Sequence, residues 1–182
     1  MGGVISGENV HALQSLWSDL QANPRAQLWA SLYADAVRDA RWDYQFFRCF
    51  NLLEAIADEV LPPNTPITDA AGNPRPFSSG RGNYTIKQAR GKVYALLIHT
   101  SDSAEDELWD EVGIWIQIRN DVAHEGAWQP PHASEKAAHA AARKAIVTRG
   151  HDGTFEAGAS VILKKIQGAT KSVLYAAIQG KL

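Results

Sequence analysis

At 182 residues, with 45% apolar and 21% charged residues, the chain has room for one well-buried core and little room for two, so a single domain over residues 1–182 is expected. The formal net charge of −2 excludes a globally basic nucleic-acid binder. It hides a gradient, because residues 1–132 hold ten Lys and Arg against seventeen Asp and Glu, whereas residues 133–182 hold eight against three.

The opening Met1 to Ser6 lacks a basic region followed by a long apolar one, and no apolar stretch in the chain approaches the roughly 18 residues of a membrane span. Gly2 with Ser6 fits the loose N-myristoylation pattern, which weighs less than an ordinary frayed terminus. Leu13, Leu16, Trp17 and Leu20 keep helical spacing until Asn23-Pro24 interrupts it, with Pro24 placed to open the next helix. Leu28, Leu32, Tyr33, Ala36 and Val37 form the expected buried stripe of that second helix, ending near Ala40. A third helix, from about Trp42 to Val60, carries Phe46, Phe47, Phe50, Leu53, Ile56, Ala57 and Val60, a stripe too wide to leave exposed. It should be the centre of the core. The only cysteine, Cys49, lies in this run, which excludes a disulfide framework, makes it a small buried hydrophobe and fits a reducing cytoplasm.

From about 61 to 83 five prolines and three glycines preclude regular structure, giving a long loop of the kind that is usually functional or mobile. Helical spacing resumes at Ile86, Ala89, Val93, Leu96 and Leu97. Within this region Arg75, Arg81, Lys87, Arg90 and Lys92 fall in a stretch from Ala70 to Ser101 without a single acid, readable as a solvated basic loop or as a phosphate contact. A fifth helix starts near Ser103, a candidate cap, and buries Leu108, Val112, Trp115, Ile116 and Ala123 until Gly126 and Pro130-Pro131 stop it. Two more helices follow, from about Ala133 to Thr148 and from about Ala157 to Gln179. The expected fold is an all-α bundle of six or seven helices with one long proline-rich loop.

The end of the fifth helix holds the chemistry. Arg119-Asn120-Asp121-Val122-Ala123-His124 places a fixed cation, an amide and a titratable imidazole within one and a half turns. Asn120 and His124 share a face, while Arg119 and His124 point about 140° apart on a straight helix. Convergence would need the arginine to reach round, the last turn to loosen, or a second copy to approach across a dimer axis. An imidazole there suits general acid–base work, and a guanidinium can bind two phosphate oxygens. Such a trio can cleave RNA without a metal, because the 2′-hydroxyl is an internal nucleophile. An Arg–His pair at this spacing, taken alone, is more often a helix end with a surface ion pair.

The string Ile118 to Gly126 resembles the Arg-Asn-x-x-x-His signature of the HEPN superfamily, all-α domains that include many metal-independent endoribonucleases. The aromatic-rich segment Phe46 to Ile56 looks like the corresponding helix of the Apea-like branch, which carries a glutamate where this chain has Glu54. The resemblance covers about residues 28–148. It implies a HEPN-like bundle, an intermolecular site in a homodimer, RNA cleavage leaving a 2′,3′-cyclic phosphate, and toxin–antitoxin or antiphage roles with an antitoxin or other regulatory protein as partner. It implies Arg119 and His124 as the catalytic pair, Asn120 as support and Glu54 as a fourth member, where Glu54 has as alternatives an exposed acid or a partner for Arg48 or Arg119. Arg48, Arg81 and Trp128 are the substrate-binding candidates, Trp128 by stacking on a base. No cofactor is implied, and His124, His132 and His139 match no compact metal-ligand spacing. The competing function is a non-catalytic HEPN-like dimer that binds a nucleotide, an RNA or a protein, with His124 as a helix cap.

Overall fold

The computed structural model describes residues 7–77, 80, 82–100, 105–128 and 137–182. Among them the chain forms seven α-helices: α1 (Gly7–Ala22), α2 (Pro24–Val37), α3 (Trp42–Val60), α4 (Ala89–Thr100), α5 (Glu105–Glu125), α6 (Ala137–Val147) and α7 (Phe155–Ile178). The only β pairing described is two isolated bridges, Thr68 with Pro74 and Pro76 with Asn83. No described helix is long and apolar enough to cross a membrane. The expectations placed on Gly2, Ser6, Arg81, Ser103 and His132 fall outside the described residues.

The break at Asn23-Pro24 has a physical cause. Asn23 accepts the Ala26 N–H at 3.0 Å through its side-chain oxygen, capping α2, while Pro24 occupies the first turn, where no N–H partner is needed. Its side-chain amide also donates to the Ala177 carbonyl at 3.3 Å, which ties the hinge to the end of α7. The face that α2 buries matches the expected one in part. Ala36 is buried and Tyr33 and Val37 are half-buried, but Ala26 and Trp29 complete the inward face, whereas Leu28 and Leu32 remain 49% and 47% exposed.

Helix α3 is the hub, packed against α2, α4, α5 and α7. Phe46, Cys49, Phe50, Leu53, Ile56 and Ala57 are all fully buried along it. Removing each large apolar side chain from water stabilises the fold by about 1.5–3 kcal/mol. Cys49 behaves as a small hydrophobe: burial, opposed by a hydrogen bond with Thr170, pushes its thiol up to about 11.

The proline-rich segment is irregular but pinned. Ile67 is buried, Arg75 N–H donates to Ile67 O at 3.0 Å, and Tyr84 N–H donates to Arg75 O at 2.8 Å. Arg75 and Arg90 both lie over the Trp109 ring, 4.9 and 3.9 Å from its centroid, with Tyr84 and Tyr94 edge-on to it. Helix α4 begins at Ala89 rather than at Ile86; just ahead of it Gln88 Oε1 turns back to accept from the Thr85 N–H and hydroxyl at 2.8 and 2.9 Å.

In α5 the inward stripe is Val112, Trp115, Ile118 and Val122, and Ala123 is exposed rather than buried. The helix stays regular to its end, so the stripe continues from Trp115 by steps of three and four. Two acids on it are also buried. Glu111 accepts from Trp115 Nε1, Arg149 and Lys165 at 3.1, 2.9 and 3.1 Å, and Asp121 meets Arg143 of α6 at 3.4 Å. Helices α6 and α7 touch where Gly158 faces the Ile146 carbonyl, leaving no space for a Cβ. Because the obstacle is backbone, Gly158→Ala should cost about 1–3 kcal/mol. A urea unfolding midpoint equal to that of the parent protein would show that the helices do not approach so closely.

Candidate functional site

Helix α5 carries Arg119, Asn120 and His124 on its last two turns and remains helical through Glu125. Gly126 then stops it with φ at 70°, a backbone conformation that side chains disfavour, and its N–H donates to Val122 O at 3.0 Å. The start of α3 holds this exit in place. Arg41 Nη2 donates to the Gly126 carbonyl at 3.0 Å, and the Trp128 N–H donates to Asp43 Oδ2 at 3.1 Å. Arg41 and Asp43 are themselves joined by two hydrogen bonds, of 3.1 and 2.6 Å. Asp43 also accepts the Tyr44 N–H at 3.0 Å, in the first turn of α3 where a negative charge opposes the positive helix end. The result is a charged clamp just beyond His124.

Three helices meet around Glu54 of α3. Arg119 Nη2 of α5 lies 3.6 Å from Glu54 Oε2, and Arg119 Nη1 donates to Asn120 Oδ1 at 3.3 Å. The other Glu54 oxygen lies 3.6 Å from Lys92 Nζ of α4, and Lys92 is in turn 2.6 Å from Asp58 Oδ1. Asp58 stands one turn beyond Glu54 on the same face of α3. Asp58, Lys92, Glu54, Arg119 and Asn120 thus form a row of alternating charge that ends in an amide. The Arg119 side chain is 31% exposed, while its Nε is buried and makes no hydrogen bond among the described residues.

The other candidates are not drawn to this row. His124 is exposed, and the arginine that might have reached it turns to Glu54 and Asn120. With the last turn regular, neither of the two single-chain routes to an Arg119–His124 pair is taken. Arg48 projects from another side of α3 and pairs with Asp39 at 3.3 Å. Trp128 is not an open stacking surface. It is buried against Trp42 and Phe155, ring centroids 4.9 and 4.8 Å away, so both approaches to its ring are filled by core aromatics. Arg81 lies outside the described residues.

The acid-free basic stretch also changes meaning in three dimensions. Arg75 donates to Asp106 at 2.6 Å, Arg90 to the Trp109 carbonyl at 2.8 Å, and Lys92 joins the row above. These three cations bind acids and carbonyls from distant segments, whereas Lys87 is exposed. Lys92 and the Arg41–Asp43 clamp were missed as parts of the site. The one sequence signal for Lys92 was the spacing of Glu54 and Asp58, two acids one turn apart that need a cation between them. Among the described residues no three or more of His, Cys, Asp and Glu cluster as metal ligands.

Compared with known proteins, the chain matches no protein-family model, no curated protein and no solved structure.

The clamp has a pH signature. Burial works to raise the Asp43 carboxyl, but hydrogen bonds from Arg41, Trp128 and Tyr44 outweigh it and hold the group below its ordinary 3.8. A carboxyl depressed in the folded state adds stability that is fully present above its unfolded value and is lost as pH falls through the folded one. Asp43→Asn should therefore be less stable than the parent at pH 7 by about 1 kcal/mol. The difference should shrink in acid below 3.8. Urea melts across that range check both, and a constant difference would mean that Asp43 carries no charge-dependent load.

Proposed function

We propose that this chain is a metal-independent endoribonuclease of the HEPN type. The observation that carries the reading is the meeting of Glu54 from α3 with Arg119 from α5, whose guanidinium also donates to Asn120; it joins the two sequence segments that carry the resemblance. On this reading His124 removes the proton of a 2′-hydroxyl. The 2′-oxygen then bonds to phosphorus, the bond to the 5′-oxygen breaks, and an imidazolium returns a proton to the leaving oxygen. Arg119 binds the charge that builds on the non-bridging oxygens, Asn120 holds the guanidinium, and Glu54 stands beside it as the fourth polar member of the site. The products are a 2′,3′-cyclic phosphate and a 5′-hydroxyl.

Within one chain Arg119 and His124 face about 140° apart on a regular helix. The proposal therefore includes a symmetric homodimer in which the exposed His124 of one copy meets Arg119 of the other. It further assigns the protein a cytoplasmic role as a toxin or antiphage effector, silenced by an antitoxin or other regulatory protein.

One observation favours a second reading. Arg119 already has two protein partners, as it would in a non-catalytic dimer that binds RNA, a nucleotide or a protein.

Incubation of the purified protein with tRNA and structured RNA in EDTA separates the two. The ribonuclease reading expects cyclic-phosphate ends, reduced about 10²–10⁴-fold in Arg119→Ala and His124→Ala. Absence of cleavage by a folded wild-type protein across several RNAs supports the binding module instead.

A further inference from the structure

Lys92 stands outside the Arg-Asn-x-x-x-His motif, yet it decides how Glu54 is used. A carboxylate free to pair with a guanidinium closes to about 2.7–2.9 Å, usually through two parallel hydrogen bonds. Glu54 does not. It sits 3.6 Å from Arg119 with one oxygen and 3.6 Å from Lys92 with the other, balanced between two cations. Lys92 cannot follow Glu54 toward Arg119, because Asp58 holds its ammonium at 2.6 Å and its side chain is only 12% exposed. Lys92 is thus anchored by Asp58 on the side of Glu54 away from Arg119.

We propose that Lys92 is a positioning residue that keeps Glu54 from closing on Arg119, so that the guanidinium charge stays available to an RNA phosphate. The inference rests on the reading of Arg119 as the phosphate-binding group. The charges on the page give it direction. Lys92 and Arg119 against Glu54 and Asp58 make a neutral row. Removing the ammonium leaves an excess negative charge and frees Glu54 to form a close pair that cancels Arg119. Removing the carboxylate charge of Glu54 leaves an excess positive charge beside Arg119.

These consequences have opposite signs, which a merely structural lysine would not produce. The probe is a fluorescent 2′-O-methyl oligoribonucleotide, which lacks the internal nucleophile and cannot be cleaved, titrated in EDTA and read by anisotropy. Lys92→Gln should weaken binding by about three- to tenfold, and Lys92→Arg should retain it. Glu54→Gln should strengthen binding, and the Lys92→Gln/Glu54→Gln double variant should bind as Glu54→Gln does, because Lys92 acts through that carboxylate; a double variant weakened by the full Lys92→Gln factor would mark a bulk charge effect and overturn the positioning role. Glu54→Gln carries the test should Lys92→Gln fail to fold, since its expected gain cannot arise from unfolding. Unchanged binding in folded Lys92→Gln, or weaker binding in folded Glu54→Gln, overturns the positioning role. Failure of the wild type to bind, or binding unaffected by Arg119→Ala, removes the phosphate-binding reading of Arg119, and the Lys92 inference with it.

Discussion

The structure depends on one helix that is apolar around most of its circumference. With Phe46, Cys49, Phe50, Leu52, Leu53, Ile56 and Ala57 all buried, α3 must be surrounded, and α2, α4, α5 and α7 surround it. That requirement also places the polar groups that α3 carries. Asp43 in its first turn comes to lie under the exit of α5, and Glu54, three turns on, comes to lie between α4 and α5. The site follows from the packing, because the segments bearing Lys92 and Arg119 are driven against α3 by the apolar residues beside them.

Charge is used in two ways, distinguished by distance. Arg41 meets Asp43 at 2.6 Å, Arg149 meets Glu111 at 2.9 Å, and Arg75 meets Asp106 at 2.6 Å. The last two join segments distant in the chain, and the first fixes the start of α3. Removing one partner would leave a largely buried charge behind in the first two cases, so the pairs specify how the helices dock more than they add net stability. The contacts of Glu54 with Lys92 and Arg119, both 3.6 Å, are looser. A guanidinium whose pairing is incomplete, at the end of a helix with an exposed imidazole one turn beyond its amide neighbour, is suited to receive an anion.

Much of the helical order was legible in sequence. The bounds of α3 follow from its apolar spacing, the α1–α2 break from Asn23-Pro24, and the end of α5 from Gly126. The face of α2 was legible only in part: Ala36 is buried as expected, but a stripe read from spacing favours Leu28 and Leu32 over Ala26 and Trp29, which the packing buries. The fate of the basic stretch was not legible, since its counter-charges Asp106, Asp58 and Glu54 come from other helices. The Asp43–Trp128 contact spans 85 residues, beyond any local pattern. At the candidate site, Arg119 was one of two partners foreseen for Glu54. Lys92 was not foreseen, since its role is defined only by the distance between three helices.

The central claim is that Arg119 and His124 act together although one regular helix holds them apart. Mixing folded Arg119→Ala and His124→Ala proteins, each inactive alone, under conditions that allow subunits to exchange tests it most directly. A composite site between two copies predicts that RNA cleavage returns to about a quarter of the wild-type rate, since half the dimers are mixed and each has one intact site of two. A mixture that exchanges subunits and remains inactive would contradict the account.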